Sequence, residues 1–300
     1  SIMEIYSSGK VLLTGEYVIL DGALSLASPT KFGQHLKFDE NQSNLINWKS
    51  INLDGKIWFE CSIRNEDLEI KSTSSKKISD TLIRIINLIR DYNRSFLKHN
   101  GSDISTNLTF DKNWGLGSSS TLISNLAILS GVDPYILNNK IFKGSGYDIA
   151  CADSISPLVY QLNESQRIIK EVSFKPSFHE KIYFIYLNKK QSSISEIENY
   201  NNKKVSESTI NEISDITSAI LQCSSIEAYD KLIESHELII SKLISKPTIK
   251  ETLFKDFNGS IKSLGAWGGD MIMVTSHNDP IRYFKEKGYS TIFKFEELLV

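Results

Sequence analysis

Gly115-Leu116-Gly117-Ser118-Ser119-Ser120-Thr121 sets two glycines before a run of hydroxyls, ahead of a helical pattern in which Leu122, Ile123, Leu126 and Leu129 share a face. Glycine lets a backbone turn sharply and approach a ligand closely. The first amides of a helix have no carbonyl partner, which favours an anion such as phosphate. Hydroxyls there cap the helix or help hold a phosphate-bound metal. Taken alone, the stretch fits a phosphate nest and an ordinary capped Gly-Ser loop equally well.

Three other segments carry residues of chemical interest. In Gly9-Lys10-Val11-Leu12-Leu13-Thr14-Gly15-Glu16-Tyr17, Lys10 is suited to neutralise a phosphate or polarise a hydroxyl. Glu16 is suited to fix a substrate or a neighbouring base. Both can equally face solvent beside turns. The spacing is not that of a Walker loop, because Gly-x-x-x-x-Gly-Lys-Ser/Thr is absent. In Lys143-Gly144-Ser145-Gly146-Tyr147-Asp148-Ile149-Ala150, Asp148 precedes an apolar run. A carboxylate there can orient an attacking hydroxyl or accept its proton, or can cap a helix. Asp153 is a weaker choice. In Lys262-Ser263-Leu264-Gly265-Ala266-Trp267-Gly268-Gly269-Asp270, repeated glycines again suggest close backbone packing around an anion or another loop, with Trp267 as a shield.

Short strands are expected at the start: Ile2–Tyr6, 11–13, and 17–20, the last ending at a hairpin-like Asp21-Gly22. A break is expected at Pro29, with strands at 32–38 and 57–63 around an Asp54-Gly55 turn. Ile78, Leu82, Ile85, Ile86 and Ile89 then form a helical stripe within 76–97. A helix begins near Ser119 and a short one spans 134–142. Strands follow at 157–162, 167–174 and 181–187. Apolar faces predict helices over 211–222 and 225–243, and another from Pro247 to about Phe257. Strands at 271–275 and 289–295 complete the pattern.

The 300 residues, 40% hydrophobic, suit one large or two modest domains. A net charge of -2 gives no sign of nucleic-acid binding or of a polybasic membrane surface. Cys61, Cys151 and Cys223 show neither a disulfide framework nor zinc spacing, and no diagnostic base accompanies them. His236 reads as a packing or capping residue, and His35 as an ordinary strand residue. No apolar run approaches the length of a membrane span and no signal-peptide pattern is present, so the expected setting is cytoplasmic.

The motifs together, in this order, resemble the small-molecule kinase superfamily named for galactokinase, homoserine kinase, mevalonate kinase and phosphomevalonate kinase, the GHMP kinases. Residues 9–17 are similar to the mevalonate and phosphomevalonate kinase branches. Gly115–Ser120 is similar to the family's ATP-phosphate loop, and Gly265–Asp270 to its last glycine-rich motif. Residues 144–150 with Gly268-Gly269-Asp270 look more like phosphomevalonate kinase. The chain departs from the pattern at Trp267, where a glycine is usual, and at Lys112-Asn113-Trp114, where proline and glycine usually precede Gly-Leu-Gly.

The resemblance implies an α+β, two-domain GHMP kinase fold. Residues 1–165 would form an N-terminal ATP-binding domain related to a ribosomal-protein fold, and 166–300 a C-terminal α/β domain with a ferredoxin-like core. It implies ATP and Mg2+ as cofactors and a small-molecule acceptor, with no nucleic-acid or membrane partner, in a monomer or homodimer. ATP would contact Gly115, Leu116, Gly117, Ser118, Ser119, Ser120, Gly265, Ala266 and Gly268, with Ser119 at the metal. Lys10 and Asp148 would be catalytic, Lys10 lying against Asp148 and lowering its pKa. Lys10, Glu16, Gly146 and Tyr147 would contact the acceptor. The family's upstream glutamate has no counterpart in Leu137-Asn138-Asn139-Lys140, so no carboxylate metal ligand is assigned. A nucleotide- or metabolite-binding protein without turnover is the alternative class.

Overall fold

The computed structural model describes residues 2–164, 166–191, 193–201 and 204–300. The chain divides into two compact units, Ser1–Gly9 with Phe32–Lys112 and Leu116–Asp153, and Lys10–Lys31 with Asn113–Gly115 and Ser154–Val300. The segments carrying Lys10, Glu16 and Gly115 are therefore built together with the C-terminal residues.

The first unit contains the start of β1 (Ile2–Leu12), most of β2 (Ser25–Asn41), β3 (Leu45–Ile51), β4 (Ile57–Arg64), β5 (Ile70–Thr73), α1 (Lys76–Tyr92), β6 (Gly101–Leu108), α2 (Ser118–Ser130), α3 (Pro134–Ile141) and α4 (Tyr147–Ala152). Its strands run β5-β4-β3-β6-β2, parallel only between β3 and β6. Strand β3 is absent from the sequence-based reading, although Ile46, Trp48 and Ser50 alternate inward. Leu82, Ile85, Ile86 and Ile89 of α1 are buried as their spacing predicts, and pack in one core with Ile46, Phe59 and Ile63 of the sheet and Ile123 and Leu126 of α2. Ser75 starts α1 by accepting the Ile78 N–H.

Three expectations near the N-terminus are corrected. β1 passes through Gly9 without a turn. Residues 18–21 form a 3-10 turn closed by left-handed Gly22, not a strand and hairpin. Val18 and Ile19 are buried in either geometry, so apolarity alone does not separate the two. β2 continues through Pro29, which lies between the stretch pairing with the next strand of the second unit (25–27) and the stretch pairing with β6 (34–41). A residue without an N–H is tolerated where a strand changes partners.

In the second unit, β7 (Leu158–Asn163) pairs with the start of β2 and with β8 (Gln166–Glu171), both antiparallel. A separate antiparallel sheet runs β10 (Ile261–Ser263), β11 (Met271–Thr275), β9 (Ile182–Tyr186), β12 (Ile292–Lys294). The helices are α5 (Ser193–Asn201), α6 (Glu207–Gln222), α7 (Ile226–Ile244), α8 (Ile249–Leu253), α9 (Ile281–Glu286) and α10 (Phe295–Leu298). The expected final strand is thus short and passes into α10. Helices α6 and α7 turn Ile213, Ile216 and Ile220, and Tyr229, Ile233 and Ile240, inward. Among the described residues no helix is long and apolar enough to cross a membrane.

Candidate functional site

In the first unit, α2 starts at a left-handed N-cap, Gly117, with φ 95° and no side-chain capping bond. A Cβ at such a φ is strained, which accounts for glycine at this position. The following hydroxyls divide by role. Thr121 Oγ1 donates to the Gly117 carbonyl at 2.8 Å and Ser120 Oγ to the same carbonyl at 3.1 Å. Gln34 Nε2 donates to Thr121 Oγ1 at 2.7 Å and to the Ser118 carbonyl at 2.9 Å. Ser120 is buried in this arrangement, whereas Ser118 is half-buried and Ser119 exposed. Gln34 and Thr121 brace the first turn, a role that the sequence signalled only weakly because Gln34 lies on a distant strand.

Gly146, with φ 93°, is the N-cap of α4, and half-buried Asp148 lies inside the helix, its Oδ1 accepting the Ile149 N–H at 3.0 Å. The capping alternative for Asp148 is therefore corrected: the glycine occupies the cap. Tyr147 is half-buried beside it. Asp153 is the exposed C-cap residue of the same helix.

In the second unit, Gly115, Lys10 and the last glycine-rich loop converge on Asp270. A Cβ on Gly115, whose φ is 75°, would lie 2.6 Å from Asp270 Cγ. Asp270 is buried; its N–H donates to the Lys189 carbonyl at 2.7 Å and its Oδ1 accepts the Gln191 N–H at 3.3 Å. Burial raises the Asp270 pKa, opposed chiefly by the positive charge of Lys10. Gly265 and Gly268 both adopt positive φ, 63° and 89°, and buried Ala266 lies between them. Trp267 does not reach outward as a shield. It is buried with Tyr17, Ile213 and Ile240, its N–H donating to Tyr17 Oη at 3.0 Å and its indole N–H to the Pro247 carbonyl at 3.1 Å.

Glu16 does not face solvent, which corrects the second of its two sequence-based alternatives. It is buried, and Lys262 Nζ donates to both of its carboxylate oxygens at 2.6 Å. His236 Nε2 lies 3.7 Å from Glu16 Oε2 and accepts the Gly15 N–H at 3.0 Å. The imidazole is thus neutral with its proton on Nδ1, and burial together with Lys262 holds its pKa well below the usual value. Glu237 is buried beside this group, and among the described residues neither of its carboxylate oxygens has a hydrogen-bond partner. Lys262 and Glu237 were missed in the sequence. The available signal was a lysine flanked within two positions by Ile261 and Leu264.

The donor set bears on what the loops can hold. An uncapped helix start with a left-handed glycine, an exposed hydroxyl at Ser119 and a half-buried one at Ser118 fit phosphate oxygens. Among the described residues no cluster of three or more His, Cys, Asp or Glu is suited to a metal ion. A divalent ion would fit here as one carried by phosphate, with Ser119 as a protein ligand.

No family model matches the chain, and no curated protein matches it by sequence. Solved structures do. The mevalonate kinase of Methanococcus jannaschii aligns with 98% of this chain and 97% of its own at 18% identity and TM-score 0.70. The phosphomevalonate kinase of Streptococcus pneumoniae, solved with phosphomevalonate and AMPPNP, aligns over 95% of both chains at 16% identity and TM-score 0.69. The galactokinase of Lactococcus lactis, solved with galactose, covers 98% of this chain and 92% of its own at 12% identity and TM-score 0.69. The chain shares the α+β fold of these kinases.

Proposed function

We propose that this chain is an ATP-dependent small-molecule kinase of the GHMP type, transferring the γ-phosphoryl group to an oxygen of phosphomevalonate or mevalonate in the cytoplasm. The observation that carries the reading is the left-handed, uncapped helix start at Gly117–Ser118. Its placement in a chain with the fold of several such kinases supports the same conclusion. The segments 144–150 and 268–270 favour phosphomevalonate as acceptor.

In this reading, the backbone at Gly115, Leu116, Gly117 and Ser118 and the loop Gly265, Ala266, Gly268 receive the nucleotide. Ser120 acts through its bond to the Gly117 carbonyl, shaping the turn. Ser119 is the protein ligand of Mg2+, which when bound neutralises phosphate charge. Asp148 orients the acceptor hydroxyl and takes up its proton during transfer. Lys10 supplies positive charge, and Gly146 and Tyr147 form part of the acceptor surface. Glu16 contributes indirectly, by fixing the segment that follows Lys10. Phosphoryl transfer depends mainly on positioning and charge stabilisation, so the acceptor-orienting carboxylate need not be a strong base.

The test is an ATP–Mg2+ screen of the purified protein against mevalonate, phosphomevalonate, homoserine and sugars, with product mass measured. Phosphorylation of phosphomevalonate or mevalonate is expected. Nucleotide binding with no phosphorylated product across the panel would overturn the kinase reading and leave a nucleotide-binding protein.

A further inference from the structure

β8 ends its sheet, and among the described residues no strand lies on its outer side. All six of its residues are exposed, including Ile168 and Ile169 at 47% and 42%. Ile155, which shares an open concavity with Glu171 and Val172, is 90% exposed. An edge that presents backbone donors, acceptors and isoleucines is a template for another strand. Charges commonly block such edges, so the meaning of Arg167, Lys170 and Glu171 depends on register.

The register follows from the ladder. Val172 N–H donates to the Pro157 carbonyl at 2.9 Å, and β7 and β8 pair without a bulge from Leu158↔Glu171 to Asn163↔Gln166. Backbone groups alternate in direction along an antiparallel strand. Gln166, Ile168, Lys170 and Val172 therefore address β7, and Arg167, Ile169 and Glu171 address the open side. A docking strand must match outward residues to outward residues. For two copies related by a two-fold axis, a centre at Arg167, Lys170 or Glu171 opposes like charges. A centre at Ile168 sets Arg167 against an isoleucine. A centre at Ile169 sets Ile169 against its own copy and Arg167 against Glu171 of the second copy on both flanks.

We propose that the chain forms a two-fold dimer through antiparallel β8–β8 pairing centred on Ile169, with Arg167 of each copy opposite Glu171 of the other. The charges on this edge then guide pairing. Arg167 Nε already donates to Tyr160 Oη at 3.2 Å, and a guanidinium has five donors, enough to serve both partners. On the other face Lys170 opposes Ile168 of the second copy, which discourages further stacking. A six-residue ladder buries much less than the about 1,600 Å² of a standard interface, so association is concentration-dependent.

Sedimentation velocity over a concentration series tests this. The wild-type chain should move from monomer to dimer as concentration rises. Arg167→Glu and Glu171→Arg each create two like-charge oppositions and should weaken the dimer about tenfold. The R167E/E171R double variant restores complementarity and should restore the dimer. Glu171→Arg leaves the Tyr160 bond intact, and circular dichroism confirms that each variant is folded. A monomer at every concentration, a dimer indifferent to the single reversals, or a double variant as weak as the singles would each overturn the proposal.

Discussion

Lys262 Nζ donates at 2.6 Å to each carboxylate oxygen of Glu16, and both side chains are buried. The pair joins β10 to the segment after β1 within the second unit. Removing one partner strands a charge in a low-dielectric interior. Lys262→Met or Glu16→Gln is therefore expected to cost about 3–5 kcal/mol of unfolding free energy. Replacing both with apolar residues should recover much of that loss, because no charge then remains unpaired. Chemical denaturation of the singles and the double provides the cycle. Equal losses in all three would sink the assignment.

Glu237 and His236 predict an asymmetric pH profile. Burial raises the Glu237 carboxyl from its usual 4.5 to about 8, with Lys262 opposing and Glu16 reinforcing the shift. The folded state then holds a proton that the unfolded state has lost, so stability falls as pH rises between about 4.5 and 8, by about 1.4 kcal/mol per unit at most. Buried neutral His236 acts oppositely: its pKa lies well below 6.5, so it removes stability as pH falls below 6.5. The Glu237 and His236 slopes oppose each other between about 4.5 and 6.5; above 6.5 the His236 contribution ends, while the Glu16 and Asp270 carboxyls, which burial also raises, act in the same direction as Glu237. Melting temperature should decline across that upper window, and Glu237→Gln should flatten the decline. An unchanged decline in the variant would exclude Glu237 as its source.

Gly115→Ala places a methyl against the Asp270 carboxylate at a left-handed position. The backbone conformation alone costs about 1–2 kcal/mol. Melting temperature should drop and nucleotide affinity should weaken by about tenfold. Adding Asp270→Ala removes the clash but not the backbone strain, so it should recover only part of the stability. Isothermal titration with ATP and thermal melting read the two effects separately. Wild-type behaviour in Gly115→Ala would show that the approach to Asp270 is dispensable.

Asp148→Asn keeps the shape of the side chain while removing its charge and basicity. Turnover should fall about 10²–10⁴-fold, the range for loss of a positioned general base, with ATP affinity largely retained. Steady-state kinetics on the accepted substrate, paired with nucleotide titration, checks this. Undiminished turnover would remove Asp148 from the mechanism.

Local signals in the sequence determined what local physics controls. The apolar stripe of α1 fixed its buried face, the short helix expected from Pro134 is α3, and paired glycines mark the left-handed turns at Gly115, Gly117, Gly144 and Gly146. Each depends on side chains within a turn or two of one another. The ordered set of loops also carried the resemblance to the kinases whose fold this chain shares. Tertiary structure alone decided which distant residues meet. Glu16 and Lys262 are 246 positions apart, so nothing near Glu16 announces that its charge is buried and paired. Pro29 reads as a strand breaker until β2 is seen to change partners around it. The reason for glycine at 115 is a carboxylate at 270, and the pairing code of β8 depends on which backbone groups β7 has already taken. Periodicity reports the environment of a residue, whereas a buried ion pair or a close backbone approach is a property of two residues, fixed only when the chain has folded.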